Sequence, residues 1–283
     1  MNLKQLAAAV NAPTRNHSVL LYGPPKTGKT RLVGTAAKIP ELKKIYWFDG
    51  ENGAETLLHM GLSEDELEKV VLFQIKDTRE NPRFIETILR SFNSKTPVQI
   101  CDAHGIIGCA ECATSKAGTT EFFMKNCKAD ELIVIDSGSQ LGDSAMAMAC
   151  AGKDITYKPT FDEYGATVKW LGDIMSTIQS CTFTNFVMIT HEISIEKDMN
   201  GVKRDVLYPL AGTKAFCEKV GKYFGTVVYT EKKLGKHVAG SSSTYKADVI
   251  TGSRVNALIE KEKEPTMAAI LVAGGILKPK QGE

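Results

Sequence analysis

The stretch Leu20–Leu32, "LLYGPPKTGKTRL", places Gly23-x4-Gly28-Lys29-Thr30 between an apolar run and a helical pattern. Glycine lets a backbone curl so that its N–H groups converge on an anion, and a helix beginning there adds the positive end of its dipole. In a strand-to-helix turn the pattern G-x-x-x-x-G-K-[ST] is a phosphate-binding loop. Gly23, Pro24, Pro25, Lys26, Thr27, Gly28, Lys29, Thr30 and Arg31 are therefore expected to wrap a nucleoside triphosphate, ATP above others. Lys29 is expected to reach the β and γ phosphates, and the Thr30 hydroxyl to ligate Mg²⁺.

Working outward, short apolar runs alternate with helical patterns: "SVLLYG", "KIYWFDG", "ELIVIDS" and "NFVMITH". Such runs, apolar on both faces, predict a mostly parallel sheet flanked by helices, an α/β P-loop NTPase core. "GTVVYTE" and "TYKADVITG" are read as an antiparallel extension. Asp136 ends "ELIVID", where a second acidic group would complete the magnesium site with Thr30. Asp49 and Glu51 follow the second apolar run, and either carboxylate could orient or deprotonate the attacking water. Thr190, His191 and Glu192 end "FVMITHE", where a polar side chain could touch the γ-phosphate.

These pieces, in this order, resemble the RecA-type ATPase core: "FDGEN" its catalytic-glutamate segment, "LIVIDS" its second nucleotide motif, and "MITHE" the strand entering its second DNA-binding loop. Within that superfamily the chain resembles the minimal, core-only proteins of bacteriophages, the Sak group of single-strand annealing recombinases. The resemblance implies that Glu51 activates water and that His191 or Glu192 senses the γ-phosphate, so Lys29, Glu51, Asp136 and His191 form the expected catalytic set. It implies two DNA-facing loops, Ser144–Gly165 with Lys153, Tyr157 and Lys158, and Ser194–Gly212 with Lys197, Lys203 and Arg204. Their cations could pair with phosphates and the tyrosine could stack on a base. It also implies a cation supplied by a neighbouring subunit; Lys232, Lys233 and Lys236 in "TEKKLGKH", or Arg254, are the candidates.

One segment breaks the rhythm. Between residues 94 and 130 lies Cys101-x2-His104-x4-Cys109-x2-Cys112, four nitrogen and sulfur ligands of the kind that close a tetrahedral structural Zn²⁺ site. Cys127 is a spare ligand should His104 point away. With all four positions filled no place remains for water, so a zinc knuckle inserted in the core is expected rather than a catalytic metal. No thioredoxin-like setting surrounds the C-x-x-C pair, which speaks against a redox role.

The 283 residues carry 35 Lys and Arg against 33 Asp and Glu, so any basic surface must be local. No apolar run approaches a membrane span and no signal peptide is recognisable, which predicts a cytoplasmic protein, of a bacterial host if phage-encoded. Expected organisation is an N-terminal helix in residues 1–14, a possible oligomerisation element, a RecA-like core over 15–260, and a C-terminal tail over 261–283. The leading expectation is an ATP-dependent recombinase or annealing protein that assembles with itself, as ring or filament, on single-stranded DNA, with a single-strand-binding protein as a further partner. A helicase or packaging-type motor, and a regulatory ATP-binding module that recruits a protein through the zinc insert, are the alternatives.

Overall fold

The computed structural model describes residues 17–115, 117–199, 201–242, 246, 248–254 and 265–273. In chain order, β1 (Ser18–Tyr22) leads into α1 (Lys29–Gly34), then β2 (Lys44–Asp49), α2 (Glu64–Glu68), β3 (Val70–Gln74) and α3 (Arg83–Asn93). The inserted segment holds β4 (Val98–Cys101), α4 (Ala110–Ser115) and β5 (Thr119–Phe122). The core resumes with β6 (Glu131–Asp136), α5 (Gly138–Ala149), α6 (Phe161–Ser180) and β7 (Asn185–Thr190). A hairpin of β8 (Glu192–Met199) and β9 (Val202–Pro209), α7 (Lys214–Val220), β10 (Thr226–Lys233), β11 (Lys236–Gly240), β12 (Gly252–Ser253) and α8 (Met267–Ala273) complete it.

The main sheet runs β11-β10-β1-β7-β6-β2-β3, with β12 also pairing β10. Every pairing from β10 to β3 is parallel; only β11 and β12 run against β10. Alternate residues of each strand point to opposite faces, so β1 sends Leu20 and Tyr22 to one core cluster and Val19 and Leu21 to the other. The first cluster is closed by α3, α5, α6 and α7, the second by α1 and α8. Side chains such as Trp47, Phe48 and Phe186, almost wholly buried, each contribute about 1.5–3 kcal/mol relative to exposure. This is the mostly parallel α/β core with flanking helices and a Cys/His insert that the sequence implies.

Several expectations need correction. β10, drawn from "GTVVYTE", is not an antiparallel extension: it lies beside β1 in parallel, Val19 opposite Thr226. "TYKADVITG" forms no strand of its own along its described residues beyond Gly252, and its Val249 makes a single bridge to Leu207. The loop expected from Ser144 shrinks to residues 150–160, because α5 continues to Ala149 and α6 begins at Phe161, where Thr160 and Glu163 form a capping box. The second expected loop is the β8–β9 hairpin, in register from Glu192–Pro209 to Met199–Val202. Part of the expected tail is core, since Met267, Ile270 and Leu271 of α8 are buried against α1. The N-terminal helix lies outside the described residues.

The candidate ATPase site and the cysteine and histidine cluster

Strand register brings the distant motifs together. Asp49 pairs with Asp136, Asp136 with Ile189, and Tyr22 with Thr190, so the phosphate loop, both acidic segments and His191 leave the sheet along one edge. In a parallel sheet this carboxyl-end crevice is where ligands sit. A cleft of about 210 Å³ there is lined by Lys26, Gly28, Lys29, Thr30, Glu51, Asp136 and His191, among others.

The loop is held to its neighbours at close range. Gly23 has φ 152°, and a Cβ there would lie 2.1 Å from the carbonyl oxygen of Thr230 in β10, which only glycine permits. Gly28 (φ 82°) is the N-cap before α1 and lies under the ring of His237 from β11, whose Nδ1 is 2.7 Å from the Thr27 carbonyl oxygen. The Lys29 ammonium donates to the carbonyls of Gly23 (2.9 Å) and Pro24 (2.7 Å). Burial pulls Lys29 down to about 8, against the opposing pull of the Glu51, Asp136 and Glu192 carboxylates.

Thr30 Oγ1 donates to Asp136 Oδ2 at 3.1 Å. Asp136 is 2 % exposed, and burial followed by the Asp49 and Glu51 carboxylates pushes it up to about 7. A hydroxyl beside a carboxylate in a nest of three acids and one lysine suits a hard divalent cation, so Thr30 and Asp136 fit Mg²⁺.

The structure separates the two acids at the end of β2. Asp49 is fully buried, and its carboxylate accepts from the backbone N–H groups of Glu51 (3.0 Å), Gly53 (3.1 Å) and Ala54 (2.9 Å). Those bonds shape the turn and leave Asp49 no face for substrate. Glu51 turns into the cleft, where Ser137 Oγ donates to it and His191 Nε2 stands 3.5 Å away. Burial opposes its charge, but the His191 and Ser137 hydrogen bonds and the nearby Lys29 outweigh it and hold the carboxyl below its usual range. His191 Nδ1 lies 3.5 Å from Lys29 Nζ. Glu192 points elsewhere, accepting from the Tyr229 hydroxyl at 2.9 Å.

Residues 15–248 match the family described as an AAA domain (AAA_24). The chain belongs to that family. As an AAA-domain chain it is a P-loop ATPase, and binding of ATP with Mg²⁺ is expected of it. Comparison with curated protein sequences found no match. Among solved structures the AAA-domain chain is similar to a prototypical ATPase from the type III secretion system of pathogenic bacteria, at 13% identity and TM-score 0.48 over 92% of this chain. It spans 61% of that ATPase's length. It is also similar to the RadB recombinase, at 17% identity and TM-score 0.38 over 80% of each chain.

Sequence reasoning missed Ser137, whose hydroxyl meets Glu51 and also caps α5 by accepting from the Gln140 N–H (3.2 Å). Its signal is the residue type: serine immediately after a strand-ending aspartate is a helix N-cap. It also missed Ser139, which accepts the His191 N–H at 2.9 Å, and His237, whose place over the phosphate loop depends on a strand crossing invisible in sequence.

The remaining candidates fall apart from the cleft. Lys153 stands 5.1 Å over the Tyr157 ring, whose hydroxyl donates to Glu163; Lys158 is exposed nearby. On the hairpin, Lys197 pairs with Glu218 (2.7 Å) and Lys203 with Glu196 (2.8 Å), while Arg204 is exposed opposite Lys197. Lys232, Lys233 and Lys236 crowd the β10–β11 turn, with Lys233 on Glu231 at 2.7 Å. Arg254 lies beside the start of β10, at the opposite end of that strand, where its guanidinium donates to the Lys222 carbonyl.

In the insert, one ligand atom from each of Cys101, His104, Cys109 and Cys112 lies within 4.8 Å of the others. His104 Nδ1 is 3.3 Å from both Cys109 Sγ and Cys112 Sγ, and its Nε2 faces Glu111 at 3.4 Å. Tetrahedral zinc with Zn–S bonds near 2.3 Å needs ligand atoms about 3.8 Å apart, so the four fit such an ion. Cys127 is not among the gathered ligands and packs in the main core instead.

Proposed function

We propose that this ATPase works in an oligomer on single-stranded DNA, as a recombinase or annealing protein like those of the phage Sak group. The observation that carries the reading is the junction between cleft and hairpin. Thr190 Oγ1 donates to the Leu210 carbonyl, and the Leu210 N–H donates to the His191 carbonyl at 2.9 Å. The two ends of the hairpin bearing Lys197, Lys203 and Arg204 are thus tied to the residue between Lys29 and Glu51.

In the proposed mechanism Gly23–Thr30 cradle the phosphates, and Lys29 leaves its carbonyl partners for the β and γ oxygens. Thr30 and Asp136 hold Mg²⁺, which when bound neutralises charge gathering on the phosphates. Glu51, kept ionised, orients the attacking water and accepts its proton. His191, displaced from Lys29 and Glu51 by the γ-phosphate, passes the change to Leu210 and the hairpin. Lys232 and Lys236, exposed on the β10–β11 turn, supply the cation that reaches a neighbour's site. The Cys101, His104, Cys109 and Cys112 set holds a structural zinc ion.

The test is ATP hydrolysis with and without single-stranded DNA, together with electron microscopy of the nucleotide-bound protein. Stimulated hydrolysis and rings or filaments on DNA are expected. Hydrolysis indifferent to DNA, with no DNA retained at low salt, would overturn the reading.

A further inference from the structure

The metal cluster is not isolated from the ATPase cleft. Gly105, in the turn after His104, has φ 65°, and a Cβ there would lie 2.6 Å from the Gln74 carbonyl oxygen and 2.7 Å from Ile75. The knuckle backbone therefore rests directly on the end of β3. The Lys76 N–H adds a long bond to the His104 carbonyl at 3.4 Å. Cys101 is fixed from the other side, since Ile100 and Phe122 of the β4–β5 hairpin belong to the main core.

The segment so gripped, residues 74–77, touches the catalytic turn twice. The Ile75 N–H donates to the Asp49 carbonyl at 2.8 Å, and Gln74 Nε2 donates to Asn52 Oδ1 at 3.0 Å, one residue beyond Glu51. Asn52 has φ 58°, a conformation that a side-chain hydrogen bond helps to hold. Asp77 then reaches the other wall of the cleft. Its carboxylate accepts from Gln140 Nε2 (2.9 Å), Ser144 Oγ (3.0 Å) and the Phe84 N–H (2.9 Å). Gln140 lies in the first turn of α5, whose cap, Ser137, donates to Glu51.

We propose that the Cys101, His104, Cys109 and Cys112 site positions Glu51: with the ligands gathered, Gly105 presses on Gln74 and Ile75, and the 74–77 segment fixes the Glu51 turn through Asn52 and Ser137. This rests on the zinc reading above. Gln74 and Asn52 are positioning residues. The phosphate loop makes none of these contacts, so metal loss acts on the hydrolytic step and spares nucleotide binding.

The experiment compares full-length wild type, chelator-stripped wild type, Cys109→Ser and Gln74→Ala for zinc content, circular dichroism, kcat, KM and binding of a fluorescent ATP analogue. Wild type is expected to hold a single zinc ion per chain. Stripping or Cys109→Ser should lower kcat about tenfold or more, as loss of a supporting shell does. KM and analogue affinity should stay within about twofold, the split expected when binding is spared. Gln74→Ala should keep its zinc and still lose kcat. Wild type without zinc overturns the metal reading and this inference with it. Zinc present, with kcat unchanged in the stripped protein or, where that unfolds, in Gln74→Ala, overturns the inference alone.

Discussion

His191 stands between two opposite charges of the cleft: its Nε2 is 3.5 Å from a Glu51 carboxylate oxygen and its Nδ1 is 3.5 Å from the Lys29 ammonium. A γ-phosphate drawn to Lys29 and a water drawn to Glu51 would take the space this ring bridges. Glu51→Gln should bind ATP normally and lose about 10²-fold or more in kcat, the usual worth of a placed base. His191→Ala should keep most basal hydrolysis while losing its response to DNA. Single-turnover hydrolysis with and without DNA checks both.

Asp136 predicts an unusual pH dependence. Its folded-state pKa, about 7, lies above the unfolded value, so the folded chain keeps a proton that the unfolded chain releases. The metal-free protein is therefore expected to lose stability through this group as pH rises from about 4 to 7. Mg²⁺ must displace that proton, so its stabilising effect should be greater at pH 8 than at pH 6. Asp136→Asn should raise the metal-free Tm at pH 8 by about 2 °C or more and abolish Mg²⁺-dependent hydrolysis. Thermal melts across pH, with and without Mg²⁺, decide it.

Asp49 and Glu51 are two residues apart with opposite duties. Asp49→Ala would strip three backbone N–H groups of their acceptor, a loss of about 3 kcal/mol or more. Glu51→Gln should leave stability nearly unchanged. Denaturant titration of the two variants separates fold from chemistry.

Gly142 of α5 meets the chain just after the hairpin, where an added Cβ would lie 2.3 Å from the Gly212 backbone nitrogen. Gly142→Ala should cost about 1–3 kcal/mol, as overpacking does, and shift the hairpin base. DNA-stimulated hydrolysis should fall more than basal hydrolysis in the same preparation.

Lys203→Ala and Arg204→Ala should each weaken DNA binding evenly across sequences and reduce the salt slope by about one. Lys203 pairs with Glu196 of its own hairpin and stays mostly exposed, whereas Lys197, half-buried against Glu218 of α7, should matter less to DNA and more to the seating of the hairpin. Fluorescence titrations at three salt concentrations give the slopes.

The strands that frame the candidate nucleotide site were legible in the sequence because strands buried on both faces advertise themselves and their ends carry the acids. "ELIVID" and "FVMIT" are buried at nearly every position, and Asp136 and His191 sit where those runs stop. β3, "VVLFQ", escaped because it is a short edge strand, with Leu72 exposed. The residues alone left Asp49 and Glu51 as equal candidates, and only the family resemblance pointed to Glu51; the turn geometry supplies the physical reason, since it tells a backbone cap from a cleft residue. The β8–β9 hairpin was hidden by its own charges: "EISIEKDM" and "VKRDVLYP" alternate apolar and polar residues only in part, and their pairing is long-range information.

Gly23 against Thr230 and Gly28 under His237 make the phosphate loop common ground between β1 and the β10–β11 hairpin. A subunit that grasped the lysines at the tip of that hairpin would pull on a lever whose short arm is the nucleotide cradle. Assembly would then tune how tightly ATP is held as well as how fast it is cleaved, and titration by nucleotide would steepen with oligomer size.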